Sequence, residues 1–260
     1  MVTLTQLQVY LDDYLNFDKK LDIAKIDTFM TNGLMVRGND EVHKIGFGVS
    51  ASLALFATAK KNKCDALIVH HSFNFPSSNR YDLIFQNRIG YLLKNNISLF
   101  GYHFLLDAHP EIGHNVQIIK KIGAEPLAPY LHRGNPWGWT GEFVQAVNFS
   151  DIERTLKPYL SKTSTIYNFG KKMIKKVVAV SGMGSPVPSD MHDLLEEGID
   201  LFITGEVHEW NRELFREAKI NFIAGGHYAT EVFGVQALME KVRTKFQDVE
   251  VHWLDLANEI

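Results

Sequence analysis

Ala66-Leu67-Ile68-Val69-His70-His71 opens with four apolar residues and stops at a pair of histidines. A short continuous apolar run of this kind fits a strand buried on both faces, the type that parallel sheets use. Upstream, Lys44-Ile45-Gly46-Phe47-Gly48-Val49-Ser50 reads as a second buried strand, and residues 52–62 as the helix that joins the two. Downstream, 83–95 reads as a helix and Ile97-Ser98-Leu99-Phe100 as a third strand. The order is β-α-β-α-β, an arrangement that gathers polar residues at the C-terminal ends of its strands.

The second half repeats this order. Lys176-Val177-Val178-Ala179-Val180-Ser181 is a strand, 188–197 a helix, and Asp200-Leu201-Phe202-Ile203-Thr204 a strand that stops at Gly205-Glu206. Residues 209–218 are helical and Ile220-Asn221-Phe222-Ile223 is the third strand. Both third strands run into a histidine followed four residues later by a carboxylate. These are Gly101-Tyr102-His103-Phe104-Leu105-Leu106-Asp107 and Gly225-Gly226-His227-Tyr228-Ala229-Thr230-Glu231. The expected fold class is therefore α/β, with two similar interlinked lobes from an internal duplication and mainly parallel sheets flanked by helices.

The first lobe is expected over 1–125, with His70, His71 and Asp107, and the second over 142–260, with His227 and Glu231. Between them, 126–141 carries Pro126, Pro129 and Pro136 among glycine and asparagine and reads as a linker or crossing segment. Residues 142–147 alternate like a strand, and 151–160 look helical with Ser150 or Asp151 as cap. An amphipathic helix over 5–15 places Leu7, Leu11 and Leu15 on one stripe, and 232–245 forms the last long helix.

A formal charge of −3 and a pI near 6.4 provide no global field towards nucleic acid or an anionic membrane. Lys171, Lys172, Lys175 and Lys176 are the densest basic cluster, and they read as solvated residues at a strand entry. The single cysteine, Cys64, excludes an intrachain disulfide and any Cys-rich zinc or iron–sulfur site. With no secretory pattern at the start and no apolar run near the ~20 residues of a membrane span, a cytoplasmic protein without a membrane partner is expected.

Residues i and i+4 lie on one side of a helical turn, so each His-x-x-x-carboxylate can aim both side chains at one ion. Histidine with carboxylate selects zinc, manganese or iron over copper(I). His70, His71, Asp107, His227 and Glu231 are more ligands than one tetrahedral ion with an open position needs, whereas two ions sharing a carboxylate would use them all. Two such ions make a bridging hydroxide available near neutral pH, which is hydrolytic chemistry. Taken singly, each motif also fits a plainer role: His70-His71 as a turn, His103 and Asp107 as a cap, His227 and Glu231 as a first-turn salt bridge.

His103 is read as a residue that orients ligands or transfers protons, and Glu206 as a general acid or base or, alternatively, a structural residue; both are the catalytic candidates. His109 and His114 read as structural or rim residues. Gly182-Met183-Gly184-Ser185-Pro186 sits between a strand and a helix, where backbone amides can receive a phosphate, although it matches neither the P-loop nor the dinucleotide fingerprint.

Five blocks carry a family resemblance: Thr31-Asn32-Gly33-Leu34-Met35-Val36-Arg37-Gly38, Ile68-Val69-His70-His71, Leu105-Leu106-Asp107-Ala108-His109-Pro110-Glu111, Leu201-Phe202-Ile203-Thr204-Gly205-Glu206 and Gly226-His227-Tyr228-Ala229-Thr230-Glu231. Together they resemble the GTP cyclohydrolase I type-2-like family, also named for an NGG-interacting factor, in its short form. The resemblance implies a duplicated α/β fold and a ring-shaped homohexamer. It also implies two divalent ions per chain, with His71 and Asp107 on one, His70 and His227 on the other, and Glu231 bridging. Ser72-Phe73-Asn74-Phe75-Pro76-Ser77-Ser78 and Trp139 depart from the family pattern and bear on the substrate. The expected activity is metal-dependent hydrolysis of a nucleotide or purine ring. The alternative is a non-enzymatic metal-stabilised ring that binds a protein or nucleic-acid partner.

Overall fold

The computed structural model describes residues 1–28, 30–73 and 80–260. From the N-terminus come β1 (Val2–Thr3), α1 (Leu4–Leu15), α2 (Ile23–Ile26), β2 (Gly33–Val36), β3 (Glu41–Val42), β4 (Lys44–Ser50), α3 (Leu53–Lys61) and β5 (Ala66–His71). Next are α4 (Leu83–Lys94), β6 (Ser98–Gly101), α5 (Phe104–Asp107), α6 (His114–Lys121), β7 (Glu125–His132), β8 (Asn135–Asn148) and α7 (Phe149–Leu156). The remainder is β9 (Thr165–Tyr167), β10 (Met173–Val180), α8 (Met191–Glu196), β11 (Leu201–Thr204), α9 (Asn211–Ala218), β12 (Asn221–Ala224), α10 (His227–Lys245) and β13 (Glu250–Trp253). The chain forms two compact units, Met1–His109 with Val235–Leu256, and Pro110–Gly234 with Ala257–Ile260. Residues 235–256 thus return to the first unit, which the expected division at 125 and 142 does not contain.

In the first unit the sheet order is β13-β4-β5-β6-β2, parallel throughout except for β2, which runs antiparallel to β6. The inner strands are buried on both faces, as their uninterrupted apolar runs require. Gly46 and Gly48 let neighbours close onto β4: a Cβ at Gly46 would lie 2.6 Å from Leu254 and 2.8 Å from Leu67, and one at Gly48 2.9 Å from Leu55. Local signals set the helices. Thr3 and Gln6 form a capping box on α1, which buries Leu4, Leu7, Leu11 and Leu15 at helical spacing. Ser52 and Asp82 cap α3 and α4 through the amides of Leu55 and Phe85.

In the second unit the order is β7-β8-β10-β11-β12-β9. Its centre, β10-β11-β12, is parallel, whereas β8 and β9 flank it antiparallel, so this sheet is mixed rather than mainly parallel. Side-chain alternation splits its core into two layers. Val177, Ala179, Leu201, Ile203 and Ile223 face one; Val178, Val180, Phe202, Phe222 and Ala224 face the other.

The duplication is visible in topology. In β2-β4-β5-β6 and again in β9-β10-β11-β12, three strands are parallel in sequence order and the first strand of the quartet lies antiparallel beside the last.

Residues 126–141 are not a linker. They belong to a hairpin, β7–β8, whose two-residue turn Arg133-Gly134 has positive φ at both positions (52° and 76°), the geometry that matches strand twist. Pro126 and Pro129 lie on β7, an edge strand, where a missing amide is tolerated. The helix expected over 151–160 starts at Phe149, and its cap is Asn148, which accepts from the amide of Ser150. Among the described residues no helix is long and apolar enough to cross a membrane.

Candidate metal centre

In the first unit, β5 ends at His70-His71, and the turn after β6 carries His103 and Asp107. His70 is fully buried, and its Nδ1 donates to the carbonyl of Tyr102 at 3.0 Å. A carbonyl only accepts, so the proton is on Nδ1 and the neutral ring presents its lone pair at Nε2, 3.7 Å from Asp107 Oδ2. Two acceptors face each other there, a donor pair of the kind that binds a divalent cation. His71 Nδ1 lies 3.0 Å from Ser50 Oγ, on the neighbouring strand; a hydroxyl accepting from that nitrogen directs the other nitrogen towards an ion. The backbone of His103 accepts from the amide of Asp107, which places the carboxylate one turn along on the same side.

His103 itself is held from two directions. Its amide donates to Asn32 Oδ1 (2.8 Å) and its Nδ1 to Asp27 Oδ2 (2.8 Å). Asp27 also accepts from the amides of Met30 and Phe104. Burial would raise the Asp27 carboxyl, but the His103 bond and charge and the two amides outweigh it and hold it below the usual carboxylate range. Burial likewise works against a charged His103 ring, and the bond to Asp27 together with the charge of Asp107 overcomes it, so His103 is raised.

In the second unit, β11 leads into Glu206 and β12 into His227, the first residue of α10. His227 Nδ1 donates to Glu206 Oε1 at 2.6 Å, and Nε2 faces Glu231 Oε1 at 3.1 Å. Burial opposes the charged ring, but Glu231 and then Glu206 outweigh it and hold the imidazole up at about 9. Glu206, one of the two catalytic candidates, is thus hydrogen-bonded to the His227 ring. Glu231 is buried, at 3% exposure.

Gly182, after β10, closes over this pair: a Cβ there would meet Glu231 Oε1 at 2.2 Å and His227 Nε2 at 3.1 Å, and its φ of +58° independently favours glycine. Its amide donates to Thr230 Oγ1, and the amide of Gly184 to the carbonyl of Ser181. Both amides are spent internally rather than offered to a phosphate; Gly182 closes on the carboxylate, and Gly184 closes on Val180. Asp27, Asn32, Ser50 and Gly182 are the residues at these sites whose roles sequence reasoning missed.

Residues 9–259 match the family described as Duf34/NIF3 (NGG1p interacting factor 3). The chain belongs to the DUF34/NIF3 family. An Archaeoglobus fulgidus protein named GTP cyclohydrolase 1 type 2 homolog is 36% identical over 256 residues, 98% of each chain. An Escherichia coli K12 protein of the same name is 34% identical over 249 residues, 93% of this chain and 95% of its own. Among solved structures, ybgI, described as of unknown function, matches with a TM-score of 0.85 at 32% identity over 100% of both chains. A Thermus thermophilus protein matches at 0.82 and 27%, again over 100% of both.

Other features of this DUF34/NIF3 chain fall into place around the donors. His109 Nε2 donates to the carbonyl of Tyr14, and the ring packs on Tyr14 and Phe17. His114 is buried and its Nδ1 accepts from the amide of Gly234. Trp139 is a core side chain of β8. Of the segment 72–78, Ser72 and Phe73 are buried, and residues 74–78 lie outside the described residues. The lysine cluster is engaged at the entry to β10: Lys171 pairs with Asp200, Lys175 with Glu142, and Lys176 reaches the carbonyl of Glu197.

Proposed function

We propose that this protein is a metal-dependent hydrolase whose two donor sets, His70-His71-Asp107 and His227-Glu231, serve two divalent ions of zinc, iron or manganese. One observation carries the reading. In each unit an imidazole Nε2 faces a buried carboxylate oxygen (His70 to Asp107, His227 to Glu231) while its Nδ1 is held by a separate acceptor, Tyr102 carbonyl or Glu206. Ligand histidines are oriented in this way by an outer partner. When bound, such ions supply a hydroxide nucleophile near neutral pH and polarise the electrophile.

The chain's own residues then have separable tasks. Glu231 would hold an ion together with His227, Glu206 sets the direction of His227, and Tyr102 sets that of His70. The relatives' name makes a nucleotide or purine ring the first substrate class to try. The same reading takes the assembly to be a homohexamer, which light scattering after size exclusion checks.

Protein purified without chelator or affinity metal should carry about two divalent ions per chain, and the His71→Ala, Glu231→Gln double variant should lose them. Formate released from GTP by the metal-loaded protein supports ring opening. A loaded protein that releases none removes that substrate, and a protein that takes up no zinc, manganese or iron removes the hydrolase reading and leaves a partner-binding ring.

A further inference from the structure

We infer that a cleft of the first unit, lined by α1, α2 and the turn after β6, holds the guanine base of a substrate, with Asp12 reading its N–H edge. This rests on the purine reading above and gives that substrate class a binding place apart from the ion donors.

The cleft has a volume of about 630 Å³, within the range of small-molecule sites. Ile23, Met30 and Leu105 give it apolar walls suited to a flat ring. Its charged lining is the carboxylates of Asp12 and Asp27, and among the described residues no lysine, arginine or histidine faces it. A phosphate there would meet negative charge with no cation to offset it, so the cleft suits a neutral ligand that brings N–H donors.

The two carboxylates differ in what they have left to offer. Asp27 is engaged by the chain itself, through the His103 ring and the amides of Met30 and Phe104. Asp12 Oδ1 accepts from the Tyr102 hydroxyl at 2.8 Å, which fixes the carboxylate, while Oδ2 has no partner among the described residues. Asn32, also in the lining, spends its Oδ1 on the amide of His103 and so presents Nδ2, a donor. A carboxylate takes two adjacent N–H groups, and an amide nitrogen takes a carbonyl oxygen. Guanine carries this set on one edge, N1–H and the 2-amino group beside O6. Adenine would set the lone pair of N1 against the carboxylate. Tyr102 joins the cleft to the donors: its hydroxyl holds Asp12 and its carbonyl holds His70.

Calorimetric titration of the full-length protein, metal-free and zinc-loaded, with guanosine and with inosine tests this. Inosine lacks only the 2-amino group, so it should bind about 10–100-fold more weakly, the cost of one hydrogen bond to a charged group. Asp12→Asn should weaken guanosine by at least that factor and remove its advantage over inosine, with metal content unchanged. Ala24→Trp, which fills the cleft from an exposed position on α2, should abolish guanosine binding. Three results overturn the proposal while the metal reading stands: no binding of either nucleoside, equal affinity for both, or a guanosine preference kept in folded Asp12→Asn. Where Asp12→Asn fails to fold, unchanged guanosine affinity in Ala24→Trp overturns it. A protein that takes up no ion yet prefers guanosine through Asp12 overturns the metal reading alone.

Discussion

Gly182 and Glu231 approach so closely that no side chain fits between them. The position a Cβ would take on Gly182 lies 2.2 Å from Glu231 Oε1, inside any permitted contact, and the backbone there is left-handed at φ +58°. Gly182→Ala is therefore expected to displace the carboxylate and with it the His227 pairing, in addition to a backbone strain of roughly 1–2 kcal/mol. Zinc content after dialysis should drop relative to wild type while far-UV circular dichroism stays the same. Full metal retention would show that Glu231 is not a ligand.

Gly134 provides the control for that argument. It too has a positive φ, +76°, at the β7–β8 turn, but a Cβ there would meet nothing within 4 Å. Gly134→Ala should lower stability by roughly 1–2 kcal/mol in urea unfolding, from backbone strain alone, and leave metal content unchanged.

The parallel strands and their helices were legible because each is a local pattern: buried apolar runs, caps such as Ser52, and the leucine stripe of α1. Strand β9 spans three residues, too few for a period, and β2, four residues long, buries only its two ends. Pro126 and Pro129 argued for a linker because proline removes a ladder donor, an argument that fails on an edge strand. Both histidine–carboxylate pairs could be located from i, i+4 spacing. Asp27 could not, since it meets His103 from 76 residues away and nothing local marks it.

Asp200 ties the entry of β10 to the start of β11. Its oxygens accept from Lys171 Nζ (2.8 Å) and from the amides of Lys175 (2.9 Å) and Lys176 (3.1 Å). Burial raises the carboxyl, but these bonds outweigh it and lower its pKa. A depressed pKa stabilises the fold above the ordinary value near ~3.9 and loses that contribution as pH falls through the lowered one. Asp200→Asn can keep one oxygen on both amides, as Oδ2 is now, but loses the charge and the Oδ1 acceptor of Lys171 Nζ, and a loss of about 1–3 kcal/mol at neutral pH is expected. The gap between variant and wild type in urea unfolding should narrow in acid; a gap independent of pH would assign the effect to packing.

His227 couples metal to protons. In the metal-free protein its ring holds a proton up to about 9, on the side that faces Glu231. Raised from the ordinary ~6.5, this charge stabilises the metal-free fold below the ordinary value, and the contribution is lost as pH rises through about 9. An ion bound through Nε2 must expel that proton, so affinity should climb by up to about tenfold per pH unit and level off above about 9. Glu206→Gln keeps an oxygen for Nδ1 but removes a charge that holds the proton, so the plateau should move to lower pH. Zinc affinity by chelator competition across this range checks both statements. If affinity is flat with pH in wild type, or the plateau does not move in the variant, His227 does not bind the ion through the nitrogen that faces Glu231.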